Sequence, residues 1–142
     1  MDYKQLNGLS LAYMGDAVYE IYIREYVISL GYSKVNDLHK RVIKFTSGNA
    51  QACLMHYLLE IEFLTEEEIN IFKRGRNSHV HTSRKNMNIQ DYLDATGFEA
   101  LIGYLYLQEN NERIKEIVDL AVKKGGASFE KSKFRWIKWR RA

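Results

Sequence analysis

The stretch IQDYLDATGFEALIGYLYLQ, residues 89–108, decides the fold of this chain. From Ala95 onward it is apolar on nearly every side, and Glu99 is the only charged residue between Ala95 and Leu107. A helix that is hydrophobic all round lies inside a protein. These residues therefore predict a central, buried helix over 89–108.

A second apolar segment, residues 6–30, is the natural partner of that helix in the core. Apolar residues lie all round this segment, which predicts a buried helix, and Gly31 follows it as a stop signal. Shorter helices are predicted from caps and helical periodicity. They cover 34–45, a segment beginning at Ser47, a segment capped by Thr65 that frays near Gly75, and 111–124. No segment before the C-terminal tail alternates cleanly enough to predict a strand, so the fold class is all-α.

Composition excludes several classes of protein. The chain of 142 residues has no proline, which argues against turn-rich sandwiches and proline-rich linkers. Its single Cys53 allows neither an internal disulfide nor a cysteine zinc site, so we expect a reducing, cytoplasmic location. The longest apolar stretch, residues 9–23, is broken by Asp16 and Glu20, so we expect no membrane segment.

The net charge of +3 hides an uneven distribution. Residues 123–142 carry +7 and the rest of the chain carries −4. We therefore divide the chain into a domain over 1–125 and a basic C-terminal tail over 126–142. An acidic body with a basic, tryptophan-bearing tail favours an anionic partner such as nucleic acid, although a solvated tail explains the same composition.

Two carboxylates stand where apolar residues would be expected, Asp16 and Glu99. A buried, ionised carboxylate needs a compensating cation or strong donors, and two converging acids suit one Mg²⁺ ion. Alternatively, each acid pairs with an Arg or Lys, or one lies at a tight helix contact made possible by Gly15 or Gly103. Glu20, one turn after Asp16, either extends the acidic face or faces solvent.

Residues 73–90 form a basic segment that contains no Asp or Glu. It contains five Lys/Arg and two His. Arg74 and Arg76 flank Gly75, a predicted hinge, and the planar guanidinium fork suits phosphate oxygens. A solvated loop explains the same pattern. The two histidines are weak evidence for zinc, because no Cys or carboxylate stands at ligand spacing nearby.

Three segments, taken in order, resemble the Mini-III ribonucleases, compact relatives of ribonuclease III. They are LAYMGDAVYE at 11–20, RGRN at 74–77 and ATGFEALIGYL at 95–105, and the resemblance spans 9–122. It implies an all-helical ribonuclease III catalytic domain and a homodimer with one active site per subunit. It also implies Mg²⁺-dependent cleavage of double-stranded RNA, with Mn²⁺ as a substitute ion, and maturation of the large-subunit (23S) ribosomal RNA precursor. With no room for a separate RNA-binding domain, we expect the dimer surface to recognise the duplex.

The resemblance also contains a departure from full-size ribonuclease III. Those enzymes carry two further acids, at the positions held here by Ala12 and Thr96. Mini-III members share this reduction, which leaves Asp16 and Glu99 as the carboxylates of each site. Thr96 and Glu20 are candidate supporting residues, and the Thr96 hydroxyl is suited to holding a water bound to the metal.

The sequence thus predicts a metal-dependent endoribonuclease with Asp16 and Glu99 as catalytic residues and Mg²⁺ ligands. A ribosomal protein that presents the RNA is a further candidate partner. Two alternatives stay open: a non-catalytic RNA-binding protein of the same fold associated with ribosome assembly, and a helical interaction protein without RNA. The residues expected to bind the RNA backbone are Lys73, Arg74, Arg76, Asn77, Arg84 and Lys85.

Overall fold

The structure, a computed structural model, describes residues 2–78 and 88–124. A short 3-10 turn at Tyr3–Gln5 precedes six α-helices. No strand occurs in these two ranges, so the all-α prediction is confirmed. The helices are α1 (Gly8–Ser29), α2 (Val35–Thr46), α3 (Gly48–Glu60), α4 (Glu66–Arg76), α5 (Ile89–Leu107) and α6 (Asn111–Lys123).

Polar caps set where several of these helices begin. The Ser47 hydroxyl accepts a hydrogen bond from the Ala50 amide at the start of α3. At the start of α4, the Thr65 hydroxyl accepts from the Glu68 amide at 3.1 Å, and the Glu68 carboxylate accepts from the Thr65 amide at 2.9 Å. The predicted capping box is therefore confirmed, and it satisfies two amides that the first helical turn leaves without partners.

Helix α5 is the centre of the molecule, as its sequence predicts. Twelve consecutive residues, 94–105, are buried, and the side chains of Phe98, Leu101 and Ile102 are fully enclosed. Helices α1, α3, α4 and α6 all pack against it. A helix surrounded by four others has no face left for polar side chains, which explains its apolar sequence.

Helices α1 and α5 touch backbone to backbone through a pair of glycines. A Cβ atom at Gly15 would lie 1.6 Å from the carbonyl oxygen of Glu99, and one at Gly103 would lie 2.0 Å from the carbonyl oxygen of Leu11. No side chain fits at either position, so only glycine allows this approach. The tight helix contact considered for Gly15 and Gly103 therefore exists.

Helix α1 corrects the prediction of a fully buried segment. Its inner face is buried, but Tyr13 is 84% exposed, and Ile21 and Ile28 are also exposed. Neighbouring helices cover α1 on one side only in the part of the chain that the structure describes. No helix of that part combines the length and the apolar character needed to cross a membrane.

The C-terminal end of α4 corrects a second prediction. Gly75 was expected to act as a hinge where the helix frays, but α4 continues through Arg76 and Gly75 is buried. A Cβ atom at this position would lie 2.5 Å from the Ala100 Cβ and 3.0 Å from the Gly97 Cα. Gly75 is thus a packing residue that lets α4 approach α5 closely.

Candidate active site

The crossing of α1 and α5 brings the sequence neighbourhoods of Asp16 and Glu99 together. Asp16 directly follows Gly15, and Gly15 lies against the backbone carbonyl of Glu99. The two acids are 83 positions apart in the chain, yet they occupy adjoining parts of two touching helices. The glycine contact therefore brings together the helix turns that carry the two acids.

The two carboxylates differ in their exposure to solvent. Glu99 is 8% exposed, whereas Asp16 is exposed. The expectation that both acids lie among buried residues is therefore wrong for Asp16. Carboxylate oxygens are ligands that suit a hard divalent cation.

The two supporting candidates each have a partner of their own. The Thr96 hydroxyl donates to the carbonyl oxygen of Tyr92 at 3.1 Å, and Thr96 lies three residues before Glu99, on the same side of α5. A hydroxyl oxygen retains acceptor capacity when it donates. The carboxylate of Glu20 pairs with Arg24 at 2.6 Å near the surface of α1. Thr96 thus lies on the same side of α5 as Glu99, and Glu20 is directed toward an arginine.

Two of the three arginines expected to bind RNA, Arg74 and Arg76, are held by internal hydrogen bonds. Arg74 Nη2 donates to the backbone carbonyl of Leu6. Arg76 Nε donates to Asp94 Oδ1 at 2.7 Å, and its Nη2 donates to Gln90 Oε1 at 2.8 Å. A guanidinium has five N–H donors, and Arg76 uses two of them in these bonds.

The remaining RNA-binding candidates divide into two sets. Lys73 and Asn77 are exposed at the C-terminal end of α4, on either side of Arg76. Arg84, Lys85 and the basic tail over 126–142 lie outside the described residues. In the described chain, the end of α4 therefore carries exposed cationic and polar side chains.

A second cluster of ionisable side chains lies where α3, α4 and α5 meet. His56, Asp91 and Asp94 are the one group of three such ligands in the described ranges whose ligand atoms lie within 4.8 Å of one another. His56 Nε2 lies 2.6 Å from Asp94 Oδ2, and Arg76 binds the other oxygen of Asp94. The guanidinium already supplies the positive charge that a metal would bring to Asp94.

This cluster is separate from the acidic pair. Asp94 and Glu99 are five residues apart on α5, which places their side chains about 140° apart around the helix. Asp94 is a functional candidate that the sequence analysis missed. The sequence feature that could have identified it is an acid directly before the all-apolar stretch. Nothing in the sequence identified Arg76 and His56 as its partners.

Comparison with known proteins identifies the family. The profile described as Ribonuclease III domain matches residues 9–110, a range that contains both Asp16 and Glu99. The chain is 53% identical to the Mini-ribonuclease 3 of Enterococcus faecalis, over 92% of this chain and 98% of that protein. It is 45% identical to the Mini-ribonuclease 3 of Streptococcus pneumoniae, over 87% of this chain and 97% of that protein.

A solved structure supports the same assignment. A crystal structure of a protein from Fusobacterium nucleatum superposes with a TM-score of 0.78 at 34% identity, and the match covers 87% of this chain and 98% of that one. The sequence and the fold therefore agree over most of the length of both proteins. The chain belongs to the ribonuclease III family and, within it, to the compact Mini-ribonuclease 3 group.

Proposed function

We propose that this protein is a Mg²⁺-dependent endoribonuclease that cleaves double-stranded RNA and matures the ends of the 23S ribosomal RNA precursor. Membership in the ribonuclease III family and the name of its relatives support the endoribonuclease activity. The observation that carries the proposal is the contact of Gly15 with the backbone of Glu99, because it brings together the helix turns that carry the two acids.

Asp16 and Glu99 are the residues that would hold Mg²⁺, with Mn²⁺ as a substitute. The ion, when bound, supplies the activation of water and the stabilisation of charge on the phosphate. Glu99 lies on a helix that is packed on all sides, so its backbone is fixed relative to Asp16. The exposure of Asp16 leaves the phosphodiester access to the pair. We expect products with a 5′-phosphate and a 3′-hydroxyl.

The RNA backbone would be bound by cationic and polar residues at the end of α4. Lys73 and Asn77 are exposed there, and Arg76 has N–H donors beyond the two that bind Asp94 and Gln90. Phosphate contacts of this kind fix the register of the duplex without reading its sequence. Arg84 and Lys85 remain predictions from the sequence, and so does the tail.

The active form would be a homodimer that uses the outer face of α1. Tyr13, Ile21 and Ile28 lie on this face at spacings of eight and seven residues, which aligns them along the helix. At its far end, a groove of about 200 Å³ between α1 and α2 is lined partly by Val35 and Leu38. A two-fold axis near the middle of α1 would place the projecting Tyr13 of each copy against the groove of the other.

The test is cleavage of a long RNA duplex by purified protein, with product ends mapped in the presence and absence of Mg²⁺. We expect Asp16→Asn and Glu99→Gln each to lower the rate at least about 100-fold, because each removes a ligand of the ion. Glu112→Gln is the control, since it removes an exposed carboxylate on α6. Wild-type rates in either site variant would contradict the proposal.

A second candidate function is a non-catalytic RNA-binding protein with the same fold. It is favoured by Ala12, which is buried where full-size enzymes carry an acid, and by Thr96 in place of another. Duplex binding without cleavage by the wild-type protein would support this candidate. Repeating the assay on ribosomal RNA precursor, with and without ribosomal proteins, tests both the substrate and the accessory partner.

A further inference from the structure

Asp94 joins three helices through its two carboxylate oxygens. It lies near the start of α5 and is only 8% exposed. Arg76 from α4 donates to Oδ1 at 2.7 Å, and His56 from α3 approaches Oδ2 at 2.6 Å. Both oxygens are therefore engaged by side chains from neighbouring helices, which fixes the carboxylate in place.

Arg76 is held in turn by two acceptors on α5. Its Nε donates to Asp94 and its Nη2 donates to Gln90 at 2.8 Å. An arginine side chain loses considerable rotamer freedom when it is fixed, and two bonds to a planar guanidinium define the plane of the group. The Arg76 side chain nevertheless remains 38% exposed, which leaves it in contact with solvent.

The position of Arg76 relates these hydrogen bonds to the proposed contact with RNA. Arg76 is the last residue of α4, between the exposed Lys73 and Asn77 that the proposed function assigns to the RNA backbone. A charged side chain that is already oriented loses less entropy when it binds a phosphate. A free arginine at the same helix end would lose that rotamer freedom on binding.

We propose that Asp94 is a positioning residue for RNA binding, which acts by orienting the guanidinium of Arg76 toward a backbone phosphate. The proposal rests on the proposed function, because it needs an RNA duplex at the end of α4. The proposal also predicts a change in RNA affinity opposite to the one expected from charge alone. Removing a negative charge near a polyanion should strengthen binding by electrostatics alone, whereas loss of positioning should weaken it.

The test is Asp94→Asn, which preserves the shape of the side chain and removes its charge. Duplex binding is measured without Mg²⁺ over a series of salt concentrations, and kcat and KM are measured with Mg²⁺. We expect Kd and KM to rise about fivefold, kcat to stay within about twofold, and the salt slope to fall by about one phosphate contact. Unchanged or tighter binding would overturn the proposal.

Glu68→Gln is the matched control. Glu68 is a second buried carboxylate whose two oxygens bind an arginine, in this case Arg113, at the opposite end of α4. Its substitution should lower the stability of the fold and leave Kd for RNA unchanged. An equal rise in Kd for this variant would show that general loosening of the fold causes the effect, and it would refute a positioning role for Asp94.

A double-mutant cycle tests whether Asp94 acts through Arg76. If it does, Asp94→Asn should have no further effect on Kd in an Arg76→Ala background, and additive effects would contradict the proposal. Gln90→Ala is a second variant with little risk of misfolding, because Gln90 is exposed. It should weaken binding in the same direction by a smaller factor, and unchanged binding in this variant would also count against the proposal.

The binding measurements distinguish a failure of the Asp94 role from a failure of the proposed function. A wild-type protein without salt-dependent duplex binding would refute both. Wild-type binding that is unchanged in Asp94→Asn would refute only the role of Asp94. Binding is measured on intact RNA without Mg²⁺, so the cleavage results for Asp16 and Glu99 do not affect it.

Discussion

Helices α1 and α5 share an apolar sequence, but they have different surroundings in the fold. Both are apolar on nearly all sides, yet residues 94–105 of α5 are continuously buried while Tyr13, Ile21 and Ile28 of α1 are exposed. Four helices surround α5, whereas the outer side of α1 has no cover in the described part of the chain. An apolar face thus indicates that burial is needed, but it does not indicate whether the covering surface belongs to the same chain.

The largest expected effect comes from breaking the contact between these two helices. Gly15→Ala should lower the free energy of unfolding by at least about 3 kcal/mol, because the new Cβ would overlap the Glu99 carbonyl. Urea unfolding measures this change, and cleavage should fall with it. Gly31→Ala is the matched control, since nothing lies within 4 Å and only its positive φ of 97° is strained. A loss for Gly31→Ala as large as that for Gly15→Ala would contradict the role of the close contact.

A second prediction concerns the ion pair between Glu68 of α4 and Arg113 of α6. Burial raises the pKa of Glu68, but hydrogen bonds from Arg113 and Thr65 and the charge of Arg113 outweigh it, so the net pKa lies below the usual 4.5. Glu68→Gln should cost about 2 kcal/mol near neutral pH.

The sign of the pH dependence follows from the direction of this pKa shift. A carboxylate with a lowered pKa contributes stability above its unfolded pKa and loses it as pH falls through the folded value. The gap in unfolding free energy between wild type and Glu68→Gln should therefore shrink below pH 4.5. Chemical unfolding at several pH values measures it, and a gap that widens on acidification would contradict the assignment.

The exposed face of α1 provides the third prediction. Tyr13→Asp should raise the dissociation constant of the dimer at least about tenfold, because a charge would replace the projecting ring at the interface. Helix content should stay unchanged, since Tyr13 is 84% exposed in the single chain. Analytical ultracentrifugation measures the mass. Tyr106→Asp, an exposed tyrosine on α5 outside this face, is the control, and an unaltered dimer in Tyr13→Asp would exclude this surface.

The smallest effect is expected for Glu20 on the same helix. Its ion pair with Arg24 joins residues four apart near the surface, so Glu20→Gln should change stability by about 0.5 kcal/mol or less. Cleavage should change little as well, because the carboxylate is directed toward Arg24. A loss of activity approaching that of Asp16→Asn would place Glu20 in the active site.

The sequence determined those features that depend on neighbours along the chain. Helical periodicity and capping residues predicted the helices, including the Thr65–Glu68 capping box and the central position of α5. The isolation of Glu99 in an apolar helix was also a local signal. Such features follow from spacing and side-chain chemistry within one helix, which the sequence shows directly.

Only the tertiary structure decided which faces were covered and which charges met. It left Asp16 exposed, made Gly75 a packing residue, and joined Arg76 to Asp94. None of these follows from periodicity, because each depends on which helix approaches a given face and how closely. The sequence thus supplied the acids and arginines of this protein, and the packing of α1 and α4 on α5 determined the partners and exposure of each.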